Sequence, residues 1–270
     1  MKDKRILYVS SEVVPYLPET EISSMSFETP RMVNSKGGQI RIFMPRYGNI
    51  NERRHQLHEV IRLSGMNLVI NDMDMPLIIK VASIPKERMQ VYFIDNEEYF
   101  KRKATYADEN GKLFPDNDER AIFFAKGVIE TVKKLNWSPD IIHVHGWLAS
   151  FLPLYLRNYY SNEPLFENSK IVTSVYNQGF EGTLDLKVTD KMTFDGIAED
   201  KIEALKNPDY TSVMKVAIEN SDAVIVNSEE IPQTLKDYVE TIDKPVLPYQ
   251  SAETIQDAYL DFYQNKVLAE

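Results

Sequence analysis

The residues in this chain with the clearest chemical potential form a short polar and aromatic cluster, His143-Val144-His145-Gly146-Trp147. The cluster follows Pro139-Asp140-Ile141-Ile142, which is typical of the start of a buried strand. The carboxyl end of a central strand is where open α/β sheets bind ligands. An imidazole there can hydrogen-bond a ligand hydroxyl, and an indole can stack on the apolar face of a ring. The cluster therefore predicts a ligand cleft at this end of the sheet.

Each residue of the cluster also has a purely structural interpretation. His143 and His145 alternate along the strand, so they face the same side of the sheet. Buried histidines are usually satisfied by neighbouring polar groups, which is the favoured interpretation for His143. For His145 the structural and the ligand-binding interpretations stay equally open. Trp147 more often anchors the following helix than stacks on a ligand. No third ligand stands at metal-site spacing, so no metal site is predicted.

Polar side chains follow two other predicted strands. Glu12 and Tyr16 come after the apolar run at residues 6–9, and Tyr176, Asn177 and Gln178 come after the run at 171–175. Because the carboxyl ends of parallel strands meet at one edge of a sheet, we expect these residues to line the same crevice, although polar residues in such turns also serve as caps. The predicted cleft residues are Glu12, Tyr16, His145, Trp147, Tyr176 and Asn177, and none is assigned a catalytic role.

The elements that must position these residues alternate between short apolar runs and longer amphipathic segments, which is the pattern of a mostly parallel sheet covered by helices. Strands are predicted at residues 6–9, 40–44, 77–81, 89–94, 140–145, 171–175 and 223–227, the third and fourth paired antiparallel. Helices are predicted at 24–36, 116–135, 148–159, 211–220, 231–241 and 252–269, the second capped by Asn117. Residues 181–208 are predicted as a polar surface excursion with one short helix. The predicted fold class is α/β, a Rossmann-like doubly wound sheet with helices on both faces.

The composition argues against several classes of function. The formal net charge of −10 would repel a phosphate backbone, so no nucleic-acid partner is expected. The chain has no cysteine, which excludes disulfides and thiol chemistry. The first apolar run ends at Val9, too early for a secretory signal, and no run approaches the ~20 apolar residues of a membrane span. We therefore expect a cytoplasmic protein without membrane association.

Several stretches, in this order and spacing, resemble the N-terminal half of bacterial glycogen synthases and plant starch synthases. The matching stretches are the run from Ile6 to Glu12 with Pro15, Met44-Pro45-Arg46-Tyr47-Gly48, the run from Pro139 to Trp147 and the run from Lys215 to Ser228. The most distinctive piece is Glu98-Tyr99-Phe100 followed by Tyr106, Asp108-Glu109-Asn110-Gly111-Lys112 and Pro115-Asp116-Asn117-Asp118-Glu119-Arg120. That family consists of glycosyltransferases built from two facing Rossmann-like domains.

The chain departs from the family at three places. A lysine-threonine-glycine-glycine loop that approaches the nucleotide-sugar phosphates in the family is Pro18-Glu19-Thr20-Glu21-Ile22 here. Glycine lets backbone N–H groups close on a phosphate and lysine supplies charge, whereas two glutamates would repel it. The aspartate of the family's histidine-aspartate-tryptophan motif is Gly146 here, and its later histidine-asparagine pair is replaced by Val175-Tyr176-Asn177-Gln178.

The resemblance implies one half of a GT-B type glycosyltransferase: a single Rossmann-like domain over 1–270, with 248–270 as a C-terminal helix packing back on it. A second, nucleotide-sugar domain is expected to be absent. Two functions stay open. The first is a module of glycogen metabolism that is not active alone. It either binds an α-glucan or maltooligosaccharide, or has an assembly or regulatory role by docking to a partner glycosyltransferase domain or to itself. The second is transfer of glucose from ADP-glucose to an α-1,4-glucan with a donor domain supplied by a partner chain. No cofactor is predicted.

Overall fold

The computed structural model of the protein describes residues 1–269. Its strands are β1 (Arg5–Ser10), β2 (Gln39–Pro45), β3 (His58–Glu59), β4 (Met66–Ile70), β5 (Met73–Ile84), β6 (Met89–Asp95), β7 (Ile141–His145), β8 (Lys170–Val175), β9 (Ala223–Val226) and β10 (Val246–Leu247). Its α-helices are α1 (Glu21–Ser35), α2 (Glu52–His55), α3 (Glu97–Phe100), α4 (Asn117–Leu135), α5 (Phe151–Arg157), α6 (Val188–Phe194), α7 (Tyr210–Glu219), α8 (Gln233–Thr241) and α9 (Ile255–Phe262).

These strands form one mixed sheet in the order β10-β9-β8-β7-β1-β2-β6-β5-β3, with β4 paired to β5 outside this path. The strands from β10 to β6 run parallel to one another, and β5 turns back antiparallel to β6. β1 lies between β2 and β7, with Ile6 opposite both Ile40 and Ile141. The strand order therefore reverses at β1, and its carboxyl end is the switch point where such sheets bind ligands.

The reversal also places helices on both faces of the sheet, because crossovers between parallel strands are right-handed. The chain moves from β1 to β2 in one direction and from β7 to β8 in the other. On one face α1 contacts β1, β2 and α9, and on the other α4, α5, α7 and α8 pack in succession. The predicted α/β class, a mostly parallel Rossmann-like sheet covered by helices, is confirmed.

The sequence explains the central elements. β1 and β7 are apolar runs because strands covered on both faces have no solvent side, and β7 is buried at every position. Thr20 caps α1 by accepting the N–H of Ser23, and Gly37 follows the helix with φ of +81°, a conformation that favours glycine. The buried apolar residues form one continuous cluster around the sheet.

Two local expectations need correction, and several short elements were not predicted. Asn117 does not cap α4; Asp116 precedes the helix without a side-chain cap, and the Asn117 amide is used elsewhere. The last helix covers Ile255–Phe262 and continues as a wider π turn over Tyr263–Val267, so it is shorter than the helix predicted at 252–269. Glu270, the end of the predicted segment 248–270, lies outside the described residues. The short elements β3, β4, β10, α2 and α3 were not predicted. Between residues 1 and 269, no helix is both long and apolar enough to cross a membrane.

Candidate functional site

A pocket of about 350 Å³ opens at the switch point, beside the carboxyl ends of β1 and β7. The two strand exits are joined directly, because the Ser11 N–H donates to the carbonyl of His145 at 2.9 Å. The residues that line the pocket come from five separate loops: Glu12, Leu17, Pro18, Thr20, Asn49, Thr105, Tyr106, Trp147, Gln178 and Gly179. The pocket is thus built by long-range contacts around the central strand.

Glu12 is the charged group at the base of this pocket. Its side chain is only 5% exposed, and it accepts three hydrogen bonds from neutral donors. Thr20 Oγ1 donates to Oε2 at 2.7 Å, while the Tyr106 hydroxyl and the Gln178 amide donate to Oε1 at 2.8 and 2.9 Å. No lysine or arginine within residues 1–269 lies within salt-bridge distance of it. The site therefore offers a carboxylate acceptor that neutral donors hold in place and whose charge no cation neutralises.

Trp147 forms the aromatic wall of the pocket. Its ring lies 4.9 Å from that of Tyr106 and 4.8 Å from that of Phe180, measured between centroids, and its side chain is 2% exposed. Trp147 thus anchors the segment after β7, as the structural interpretation predicts, and also lines the pocket.

Gly146 links β7, the strand that carries the two histidines, to Trp147, and its backbone conformation suits only glycine. Its φ is +81° and its ψ is 153°. A Cβ at this position would lie 2.3 Å from Ser11 Oγ and 2.8 Å from Ser11 Cβ. An acidic side chain therefore has no room here unless Ser11 and the backbone shift.

The N-terminus of α1 faces the same region, and two of its backbone N–H groups already donate to the chain's own side chains. Thr20 Oγ1 accepts the N–H of Ser23, and Ser23 Oγ accepts the N–H of Thr20, a reciprocal capping box. Glu21, in the first turn, accepts a hydrogen bond from the Ser228 hydroxyl, which in turn accepts the N–H of Asn177. A free anion would find the Thr20 and Ser23 N–H groups already taken and would meet the Glu21 carboxylate at this helix end.

Both histidines of the cluster point into a buried polar network beneath the pocket. Tyr263 Oη lies 2.5 Å from His143 Nδ1, Ser174 Oγ lies 2.7 Å from His143 Nε2, and Tyr176 Oη lies 2.7 Å from His145 Nδ1. Asn227 Nδ2 donates to Tyr176 Oη at 3.0 Å, and His145 Nε2 is buried without a hydrogen-bond partner.

The network holds both rings neutral. Burial lowers the pKa of His145 to about 3. Burial, followed by the nearby His145, also holds the pKa of His143 well below its usual range, and the two ring centroids are 4.0 Å apart.

The model of the starch synthase catalytic domain family matches residues 5–241. This chain belongs to that family. The resemblance drawn from the sequence motifs is therefore confirmed.

Relatives of this chain in the family are named glycogen synthases. A glycogen synthase from Chlorobium phaeobacteroides is 34% identical over 234 residues, which cover 86% of this chain and 47% of that protein. Another, from Chlorobium chlorochromatii, is 38% identical over 191 residues, or 69% of this chain and 38% of that protein. The chain thus spans about half the length of the curated starch synthase family relatives it matches.

A solved structure supports the fold. The catalytic domain of Starch Synthase IV from Arabidopsis thaliana, bound to ADP and acarbose, superposes with a TM-score of 0.76 at 16% identity, over 93% of this chain and 52% of that one. The likeness confirms the predicted GT-B type half-fold. The prediction of a single domain without a nucleotide-sugar domain stays a prediction.

Of the six predicted cleft residues, two line the pocket and four do not. Glu12 and Trp147 line the pocket together. His145 and Tyr176 are buried in the network below it, and Tyr16 is buried with its ring against Phe93 and His55. Asn177 is exposed and serves the neighbouring turn through its N–H.

Thr20, Tyr106 and Gln178 supply all three donors to Glu12. Gln178 follows a strand whose exit is predicted to line the crevice, and it does line the pocket. The cleft role of Thr20 and Tyr106 was not predicted; Tyr106 stands in a family motif, so motif position was the available signal for it. Within residues 1–269, no three histidine, aspartate or glutamate side chains are grouped closely enough to hold a metal ion.

Proposed function

We propose that this chain is a glucan-binding member of the glycogen and starch synthase family, which binds an α-glucan in the Glu12 pocket and does not transfer glucose by itself. The observation that carries the proposal is the combination of a fixed carboxylate acceptor with the aromatic rings of Trp147 and Tyr106. A pyranose presents hydroxyl donors at its rim and C–H groups on its faces, which are the two chemistries this pocket offers.

The electrostatics of the same region disfavour a nucleotide sugar. The pocket holds the buried Glu12 carboxylate, the neighbouring loop carries Glu19, and the first turn of α1 carries Glu21. The N-terminus of α1 is capped by Thr20 and Ser23, so few backbone donors remain for a pyrophosphate. A neutral oligosaccharide avoids this repulsion, because it brings no charge to the pocket.

A second function is favoured by the family relatives. They are named glycogen synthases, and the Arabidopsis structure that shares this half-fold holds ADP and acarbose. This chain would then transfer glucose from ADP-glucose to an α-1,4-glucan when a partner chain supplies a donor domain. A non-catalytic assembly role, through docking to such a domain or to a second copy, is a further outcome of the same test.

Calorimetric titration of the purified protein with maltoheptaose and, separately, with ADP-glucose tests the proposal. We expect maltoheptaose to bind and ADP-glucose to give no heat at millimolar concentration. Glu12→Gln keeps the side-chain shape but replaces a charged acceptor by an amide, and we expect it to weaken maltoheptaose binding about tenfold. Glu109→Gln, which makes the same change at an exposed position, is the matched control and should bind like wild type.

Each result has a defined meaning. Binding of ADP-glucose by the protein alone would overturn the non-catalytic proposal and support the transferase. Failure of both ligands to bind would leave assembly with another protein as the surviving function. Equal maltoheptaose affinity in the Glu12→Gln variant and wild type would remove the pocket from the glucan site.

A further inference from the structure

Arg120 is a fully buried guanidinium that forms no ion pair. Its side chain is 0% exposed, and no carboxylate within residues 1–269 lies within salt-bridge distance. Nε donates to the carbonyl of Tyr99 at 2.8 Å and Nη1 to Asn117 Oδ1 at 2.6 Å, while Nη2 has no partner. An unpaired charge is costly to bury, so its position calls for a role beyond packing.

Aromatic rings compensate the charge in place of a carboxylate. The guanidinium carbon lies 5.7 Å from the ring centroid of Tyr47, 5.2 Å from that of Phe100 and 5.4 Å from that of Phe114. Such contacts stabilise a cation and also hold its plane in one orientation. The five N–H donors of Arg120 therefore point in fixed directions.

This fixed orientation decides how the Asn117 amide points. A guanidinium only donates, so the atom of Asn117 that faces Arg120 must be the oxygen. The nitrogen is then turned the other way, and Nδ2 donates to the carbonyl of Tyr106 at 2.8 Å. The Phe114 N–H donates to that same carbonyl at 3.0 Å. Arg120 thus anchors the Tyr106 backbone through one intermediate side chain.

Tyr106 carries this anchoring into the pocket. Its hydroxyl donates to Glu12 Oε1 at 2.8 Å, and its ring centroid lies 4.9 Å from that of Trp147. The ring of Tyr47, which Arg120 also contacts, packs edge-on against Tyr106 at 5.9 Å. Arg120 itself does not line the pocket.

We propose that Arg120 is a positioning residue for the pocket: through Asn117 and Tyr47 it holds Tyr106 against Glu12 and Trp147. The identity of the ligand, an α-glucan, rests on the proposed function. The positioning of Tyr106 does not depend on any ligand, so the two ideas can fail separately.

A ligand-free measurement tests the positioning directly. Trp137→Phe leaves Trp147 as the only tryptophan, whose emission and acrylamide quenching then report its contact with Tyr106. In this background we expect Arg120→Lys to shift the emission and raise quenching. Arg102→Lys is the matched control, since Arg102 stacks on the same Phe114 ring but pairs with Asp116. It should leave Trp147 unchanged.

Asn117→Asp keeps the proposal testable if Arg120→Lys folds poorly. The aspartate retains an oxygen acceptor for Arg120 but loses the donor to the Tyr106 carbonyl. We expect it to change Trp147 emission as Arg120→Lys does while unfolding no more easily than wild type, because the carboxylate pairs with the buried guanidinium. Unchanged emission in both variants would overturn the positioning proposal.

Binding gives the second readout. We expect Arg120→Lys to weaken maltoheptaose binding about tenfold in the wild-type background and by about threefold or less in a Tyr106→Phe background, because the route to Glu12 is already cut. An undiminished tenfold loss in the Tyr106→Phe background would contradict action through Tyr106. Altered emission with no glucan binding by wild type would instead retain the positioning role and overturn the proposed ligand.

Discussion

Gly146 shows how one position limits what the pocket can contain. Its backbone has φ of +81° and ψ of 153°, and a Cβ there would come within 2.3 Å of Ser11 Oγ. Ser11 is itself tied to the exit of β7, because its N–H donates to the His145 carbonyl. The close contact between the ends of β1 and β7 therefore requires a residue without a side chain at position 146.

We expect Gly146→Ala to lower the free energy of unfolding by about 2–4 kcal/mol, from backbone strain plus the clash with Ser11. Urea unfolding followed by circular dichroism measures this. Gly182→Ala is the control, since Gly182 has φ of +79° but nothing within 4 Å of the added Cβ. It should cost about 1 kcal/mol. Equal losses in the two variants would show that steric contact with Ser11 is unimportant.

At this scale the sequence predicts part of the site. Glu12 and Trp147 follow strands that meet at the switch point, so strand order alone brings them to one crevice. The donors Thr20 and Tyr106 lie in loops without periodicity, and nothing local shows that they converge on Glu12. His145 pairs with Ser10 across β7 and β1, so the two side chains lie on the same face of the sheet. Ser10 contacts Ser26 of α1, so this is the face that α1 covers.

Among the elements, α6 is held to the body of the protein by two buried lysines. Lys191 Nζ lies 2.6 Å from Asp118 and 2.9 Å from Glu119, both in the first turn of α4, and 3.2 Å from Asp185. Lys126, on α4, reaches Asp195 at 2.6 Å and the Val69 carbonyl at 2.9 Å. These pairs join the surface excursion to α4 and to β4.

We expect Lys191→Met to loosen α6, because it leaves the fully buried Asp118 without its cation. Amide hydrogen exchange across Val188–Phe194 should accelerate by about 10- to 100-fold, while the central amides of α4 keep their protection. Lys187→Met changes an exposed lysine of the same segment that forms no described ion pair, and it should leave exchange unaltered. Uniform acceleration across the chain would argue against a local tether.

Element prediction succeeded where periodicity was strong and failed where tertiary contacts decide. α4 was predicted to within one residue because its apolar stripe is long and Trp137-Ser138-Pro139 ends it. The excursion at 181–208 was predicted as polar, yet its lysine pairs join residues far apart in the chain, which no local pattern encodes. Two-residue strands such as β3 and β10 exist only through pairing with a neighbour.

For the whole molecule, the buried histidines couple global stability to pH. The ordinary histidine pKa is 6.5, and burial lowers that of His145 to about 3. Below pH 6.5 His145 therefore binds a proton in the unfolded chain, whereas in the folded protein it stays neutral down to about pH 3. This contribution to stability is complete above pH 6.5 and is lost as the pH falls, at about 1.4 kcal/mol per pH unit.

We expect wild type to lose about 2 kcal/mol more than His145→Asn between pH 7.5 and pH 5, since the variant lacks this titration. Urea unfolding at the two pH values measures the difference. His58→Asn removes an exposed histidine and should follow the wild-type slope. Parallel slopes for wild type and His145→Asn would mean that His145 binds its proton over the same pH range in the folded and the unfolded protein.

The strand order has a consequence for folding kinetics. One half of the sheet, β1 with β2, β6 and β5, uses residues 5–95, and the other, β7 to β10, uses residues 141–247. Each half can assemble from nearby segments, but their seam pairs Ile6 with Ile141, a contact that closes a very long loop and is intrinsically slow. Glu12 lies on one side of that seam and Trp147 on the other. The pocket therefore forms only when β1 pairs with β7 and joins the two half-sheets. The gain of ligand binding would then mark the completion of folding.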